Sequence, residues 1–362
     1  MTPTRRDICL SVAGATLGAA CKSTGNGGNS TPAATAQLGA EPARPLASNV
    51  PPDAGKLTNT IPLRKLGKTG VDVSMLGLGG AHIGKDLTEP ESIALMRDAI
   101  DNGITFLDNC WDYNEGKSEE RMGKALQDGY RRKVFLMTKL DGRTKQAASA
   151  QLEQSLKRLQ TDTIDLVQIH EVIRKDDPMR CFAKGGIIEA LVEAKKAGKL
   201  RFIGFTGHKD PDIHLAMVAL AKEHEFQFDT VQMPLNVMDA HYKSFEHKVL
   251  PLLIERGIAV LGMKSMGSGD ILASGVVSAE ECLRYALSLP TSVVITGIDK
   301  PEVLVQDLKI ARTFKPLTQK EREDLLARTE NAAKNGKHEL FKTASKYDGT
   351  VKNPHWLEGA EL

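Results

Sequence analysis

Four residue types able to move protons fall at comparable places in this chain. Asp108 closes the apolar run "ITFLD", Lys139 closes "VFLMTK" and His170 closes "IDLVQIH". Tyr113 follows Asp108 on the turn "NCWDYNEGKSEE". Taken singly, each has an ordinary explanation. The aspartate could form a turn or cap a helix. The lysine could point to solvent, the histidine could be a satisfied core residue, and the tyrosine could pack with its hydroxyl at the surface. Taken together they make acid–base machinery. A free phenol titrates near pH ~10, too high to exchange protons readily at neutrality. A neighbouring ammonium stabilises the phenolate. A carboxylate beside the lysine keeps the ammonium charged and fixed, and a histidine can orient a substrate oxygen by hydrogen bonding. Such a group would protonate an oxygen that gains negative charge, as a carbonyl oxygen does when hydride reaches its carbon.

The elements that must position these residues are legible as a repeat. "SMLGLG", "ITFLD", "VFLMTK", "IDLVQIH", "RFIGFT", "DTVQM", "IAVLGM" and "SVVITG" read as short buried strands. Segments with helical spacing separate them, among them "SIALMRDAIDNG", "ASAQLEQSLKRLQ", "IIEALVEAKKAG", "PLLIERG" and "AEECLRYALSLP". The interval is roughly thirty residues, the length of one βαβ unit. Continuous apolar strands alternating with helices imply a parallel sheet covered on both faces. Eight units in one domain predict an α/β fold, a closed (β/α)8 TIM barrel, whose chemistry lies at the C-terminal strand ends. "LRKLGKTGVDVS" predicts an N-terminal β-hairpin ahead of it. An open doubly wound sheet is the alternative. Its G-x-G-x-x-G fingerprint is absent, "GLGGAHIG" coming nearest without fitting.

The chain has 362 residues, with 48 basic and 46 acidic side chains, so it carries no electrostatic footprint for nucleic acid. Five cysteines without a CxxC pair argue against a structural zinc or iron–sulfur cluster, and no metal is expected. No apolar run is long enough for a mature transmembrane helix. Residues 1–21 read as an export leader, with Arg5–Arg6 and a weakly hydrophobic stretch favouring the twin-arginine route. An ordinary secretory leader is the alternative. Cys21 is a candidate for lipid attachment and hence a membrane tether. The expected location is periplasmic, with the cytoplasm as the alternative. Residues 22–60, rich in Gly, Ser, Thr, Ala and Pro, read as a disordered linker. Residues 61–330 hold the barrel. Residues 331–362 leave its pattern and are expected as a strap on the barrel exterior, the alternative being closure over the mouth.

The stretches "GITFLDNCWDYNEGKSEERMGKAL", "VFLMTK" and "DLVQIH" resemble the aldo-keto reductases. The chain keeps that family's Asp108, Tyr113, Ser118, Glu119 and Gly123, with Asn109, Cys110 and Asn114 where Thr, Ala and Gly are usual. The resemblance implies a catalytic tetrad of Asp108, Tyr113, Lys139 and His170. It also implies a nicotinamide cofactor lying across the barrel mouth, NADP(H) in preference to NAD(H), and a small-molecule carbonyl substrate. For the carboxamide it implies Thr206 and Gln232, with Gly207 standing where the family has Asn. For the pyrophosphate it implies Met263, Lys264, Met266 and Gly267. For the adenosine it implies the segment of Gly297, Val303, Gln306 and Asp307. The family's Arg for the 2′-phosphate is missing there, and Lys300 is a substitute. Trp111 and His82 are candidates for the substrate pocket, with loop packing as the alternative for Trp111. Cys110 reads as a small packing residue. Two other functions remain open: a non-catalytic sensor that retains the cofactor, and a Schiff-base lyase with Lys139 as nucleophile.

Overall fold

A computed structural model describes residues 60–358. The leader, Cys21 and nearly all of the linker lie outside the described residues. The chain opens with the antiparallel hairpin β1 (Leu63–Lys65) and β2 (Asp72–Ser74). Eight further strands follow: β3 (Leu76–Gly79), β4 (Phe106–Asp108), β5 (Phe135–Leu140), β6 (Ile164–Ile169), β7 (Leu200–Thr206), β8 (Thr230–Pro234), β9 (Ala259–Met263) and β10 (Val293–Gly297). They pair in parallel around a closed ring, β10 returning to β3. This is the predicted (β/α)8 barrel, and every predicted strand is present.

Helices separate the strands as the spacing requires. They are α1 (Glu89–Asp101), α2 (Lys117–Ala125), α3 (Lys145–Leu159), α4 (Asp177–Phe182), α5 (Ile187–Lys196), α6 (Pro211–Glu223), α7 (Phe245–Lys248), α8 (Leu250–Arg256), α9 (Ala279–Ser288), α10 (Pro301–Arg312) and α11 (Gln319–Ala333). Their starts follow local chemistry. Ser278 and Glu281 form a capping box at α9, and Thr318 and Glu321 form another at α11.

Strand alternation decides what the barrel interior holds. Phe106, Phe135, Met137, Leu166, Leu261, Val293 and Ile295 form one buried cluster, plugged from the N-terminal end by Leu66 and Val73 of the hairpin region. Gly67 is required in that plug: its φ is +53°, and a Cβ there would lie 2.7 Å from the Ala259 nitrogen. Above is a polar layer, where the Gln168 amide donates to Thr230 Oγ1 at 2.9 Å. Higher still, two residues on from Phe106, Met137 and Gln168, stand Asp108, Lys139 and His170. One parity therefore carries apolar filling at the bottom and ionisable groups at the top.

The tail departs from the exterior strap expected of it. After α11, the short helices α12 (Leu340–Thr343), α13 (Gly349–Lys352) and α14 (His355–Glu358) cross the loops at the C-terminal ends of the strands. Lys342 is fully buried, bonded to Asp239 Oδ1 at 2.6 Å and Glu339 Oε2 at 3.0 Å in the region after β8. Asp348 accepts from His208 and Lys209 after β7, at 3.0 Å each. Glu171, after β6, accepts from the amides of Gly349 and Thr350 at 2.8 Å each. Tyr347 donates to Asp270 after β9, and Trp356 packs edge-on against Trp111 after β4. Polar loop partners hold the tail here, and its sequence has no periodicity that could announce them.

Candidate active site

Each of the four proton-transfer residues is placed by a strand or the turn after it. Lys139 is 1% exposed, and its ammonium makes three hydrogen bonds. It donates to Asp108 Oδ1 at 2.5 Å, to the Asn109 carbonyl at 2.7 Å and to the Tyr113 hydroxyl at 3.2 Å. Tyr113 is delivered by a tight turn in which Asn114, Glu115 and Gly116 all have positive φ. Asn tolerates that conformation, and the Asn114 amide fastens the turn to the Ala81 carbonyl at 3.0 Å. The His170 ring stands edge-on to Tyr113, with centroids 5.9 Å apart. The structure thus brings together Asp108, Tyr113, Lys139 and His170.

The electrostatics differ from the sequence argument on one point. Lys139 was expected to lower the phenol. Burial and the surrounding Asp108, Cys110, Asp112 and Glu171 instead hold Tyr113 well above its usual value. The ammonium is neutralised by Asp108 at the shorter distance, so the phenol stays protonated and is poised to donate. Burial pulls His170 down, but Asp141 and Asp112 outweigh it and raise the imidazole above its usual value.

Asp141, Asp112 and Arg143 carry no weight in the sequence reading, yet they set this geometry. Asp141 Oδ1 lies 2.9 Å from His170 Nδ1. Arg143 is buried and donates to Asp177, to the Asp141 carbonyl and to the carbonyls of His170 and Glu171. It clamps the loops after β5 and β6. No sequence signal marks Asp141 and Arg143, which lie past the end of β5 among turn residues.

The remaining candidates divide by position. Thr206 and Gln232 are buried and adjacent in register on β7 and β8. Among the described residues the Thr206 hydroxyl meets only the Met263 sulfur, at 3.9 Å, and Gln232 Oε1 is buried without a partner while its amide nitrogen donates to Asp108 at 3.5 Å. Unspent hydrogen-bonding capacity of both senses fits a carboxamide. Gly207 offers no side chain there and could not carry one, since a Cβ would lie 2.3 Å from the Val172 carbonyl oxygen. Lys264 forms no ion pair among the described residues. Burial lowers it to about 8, and its ammonium sits 4.5 Å from the Tyr347 ring centre. An unpaired cation beside Met266 and the positive-φ Gly267 fits a pyrophosphate. His82 packs on Gly297, its ring 2.4 Å from where a Cβ would stand. Trp111 is turned toward α3 and the tail, donating to Gln154 at 2.7 Å, so its contacts are those of packing. Gln306 and Lys300 are exposed and Val303 packs partly into the core. Asp307 is fully buried and accepts from Thr296 at 3.2 Å, which turns it away from an adenosine role.

The sequence profile of the aldo/keto reductase family matches residues 75–274. The chain belongs to that family. This aldo/keto reductase is 34% identical over 227 residues to the aldo-keto reductase YhdN of Bacillus subtilis, covering 59% of this chain and 63% of that one. It is 31% identical over 224 residues to the uncharacterized oxidoreductase YrpG of the same organism, covering 56% and 66%. The chain thus spans just under two thirds of these relatives' lengths. In structure it resembles the holo form of the aldo-keto reductase AKR11C1 from Bacillus halodurans. The TM-score is 0.62 at 24% identity, over 74% of this chain and 96% of that one.

Proposed function

We propose that this aldo/keto reductase reduces a small aldehyde or ketone with a nicotinamide cofactor. The observation that carries the reading is the Lys139 ammonium, shared between the Asp108 carboxylate at 2.5 Å and the Tyr113 hydroxyl at 3.2 Å. A carbonyl oxygen seated between Tyr113 and His170 accepts hydrogen bonds from both. The cofactor, when bound, supplies the hydride to the carbonyl carbon. Tyr113 then gives its O–H proton to the oxygen, and Lys139 stabilises the phenolate left behind until solvent restores the proton. Thr206 and Gln232 would hold the carboxamide, and Lys264 the pyrophosphate. We assign NADP(H) over NAD(H) because α10 begins without a side-chain cap at the exposed Lys300, leaving the Glu302 amide and a cation for a 2′-phosphate.

The lyase alternative is disfavoured by the same lysine. A Schiff base needs a free lone pair on nitrogen, and all three donor directions of Lys139 are occupied. The test is oxidation of NADPH, then NADH, by the full chain with an aromatic aldehyde. Wild type should turn over. Tyr113→Phe should lose about 10²–10⁴-fold in kcat and keep its cofactor affinity. Equal turnover by the two proteins would overturn the assignment. Tight cofactor retention without turnover would favour the sensor instead.

A further inference from the structure

Beside the tetrad lies a cluster that proton transfer leaves unexplained. Cys110 Sγ, one oxygen each of Asp112 and Asp141, and His170 Nδ1 all lie within 4.8 Å of one another. Three of these groups converge on the same nitrogen. Asp141 Oδ1 is 2.9 Å from it, Cys110 Sγ 3.2 Å and Asp112 Oδ1 3.7 Å. Burial keeps the Cys110 thiol protonated, and it donates to the Lys139 carbonyl at 3.5 Å, so one proton on Nδ1 is left facing two carboxylate acceptors. Asp112 Oδ1 and Asp141 Oδ2 are buried without any hydrogen-bond partner, and the Asp141 side chain is wholly inaccessible. An orphaned buried carboxylate oxygen costs on the order of 1–3 kcal/mol, and more when charged. Among the described residues His170 is the one cationic partner the two carboxylates share, and no lysine or arginine side chain reaches either. Lys139 is spent on Asp108, Asn109 and Tyr113, and Arg143 on Asp177 and three carbonyls. Glu171 is satisfied by the amides and hydroxyl of the tail.

We propose that Cys110, Asp112, Asp141 and His170 form a buried site for a divalent cation of the zinc class. Tetrahedral zinc with bonds of about 2.0–2.3 Å sets its ligand atoms about 3.3–3.6 Å apart. The three measured separations at Nδ1 bracket that value, and the other three are at most 4.8 Å, so the thiol and carboxylates must draw together as the ion binds. One thiolate, one imidazole and two carboxylates suit zinc or cobalt better than magnesium or calcium. Four protein ligands leave no open position, so the ion would be a positioning element rather than a Lewis acid on the substrate. Bound through Nδ1, it would hold the His170 ring and leave Nε2 for the substrate oxygen. Binding would release the thiol proton and any proton held at Nδ1.

The test does not depend on turnover. The full chain is stripped with a chelator, dialysed against micromolar Zn²⁺ or Co²⁺, and its metal content and absorption are measured. One metal per chain and a thiolate-to-cobalt charge-transfer band in wild type are expected. Cys110→Ser should abolish the band, and Asp141→Asn should weaken zinc binding by more than about tenfold, the loss seen even for supporting groups. Circular dichroism confirms that each variant is folded. Wild-type protein that is folded but takes up no stoichiometric metal overturns the site. So does cobalt uptake without a thiolate band, which would put the ion elsewhere.

Discussion

At the scale of single residues, the site is a contest over one ammonium. Lys139 and Asp108 are almost fully buried as a pair, and breaking such a pair leaves a charge without a partner. Lys139→Met should therefore do two things. It should remove turnover, and it should lower the stability measured by urea unfolding by about 3–5 kcal/mol. Adding Asp108→Leu to that variant should return most of the stability and none of the activity. If both proteins unfold like wild type, the pair is not the buried unit described above. These residues were readable in the sequence because each ends an apolar run, where an ionisable group stands out. Cys110, Asp112 and Asp141 were not. Each sits among turn residues, where a small or acidic side chain is ordinary, and only the closed barrel brings the three to one nitrogen.

At the scale of elements, parity along parallel strands explains why the chemistry collects at one rim. It also explains the crowding beneath the proposed cofactor site. His214 of α6 is buried against Phe205 and Phe245, ring centres 5.0 and 4.9 Å away. Burial lowers it to about 3. The folded state thus keeps this imidazole neutral, whereas the unfolded chain protonates it near pH ~6.5. Its contribution to stability is complete above that pH and is lost as pH falls toward 3. Between pH 7 and 5 the loss should be about 2 kcal/mol, at 1.36 kcal/mol per pH unit. His214→Gln should flatten this part of the stability profile, measured by urea midpoints across the range. An unchanged slope would mean that His214 titrates normally in the fold. Strand order and helix placement were legible here because apolar period and length fix them. The Gly207 position was not, because it depends on the close approach of the Val172 carbonyl from the neighbouring loop.

At the scale of the whole molecule, the tail ties together loops that the barrel alone leaves separate, and its two ends should fail differently. Near its start, Lys342 is buried with Asp239 and Glu339, and Phe341 beside it is fully buried. Removing that cation leaves two interior carboxylates against no positive charge. Lys342→Met should then lower global stability by about 3–5 kcal/mol. Further along, the buried Asp348 meets the buried His208 and Lys209, whose side chain is 22% exposed. Asp348→Ala should release only this stretch, since local opening is set by local contacts. Hydrogen exchange followed by mass spectrometry separates the cases. Asp348→Ala should speed exchange in peptides covering 338–358 and leave those of β4 to β6 at wild-type rates. Lys342→Met should speed exchange in both. Acceleration of the strand peptides by Asp348→Ala would show that the tail is part of one cooperative unit with the barrel. In that case the tail could not leave the loops it bonds without partial unfolding of the strands that position Asp108, Lys139 and His170.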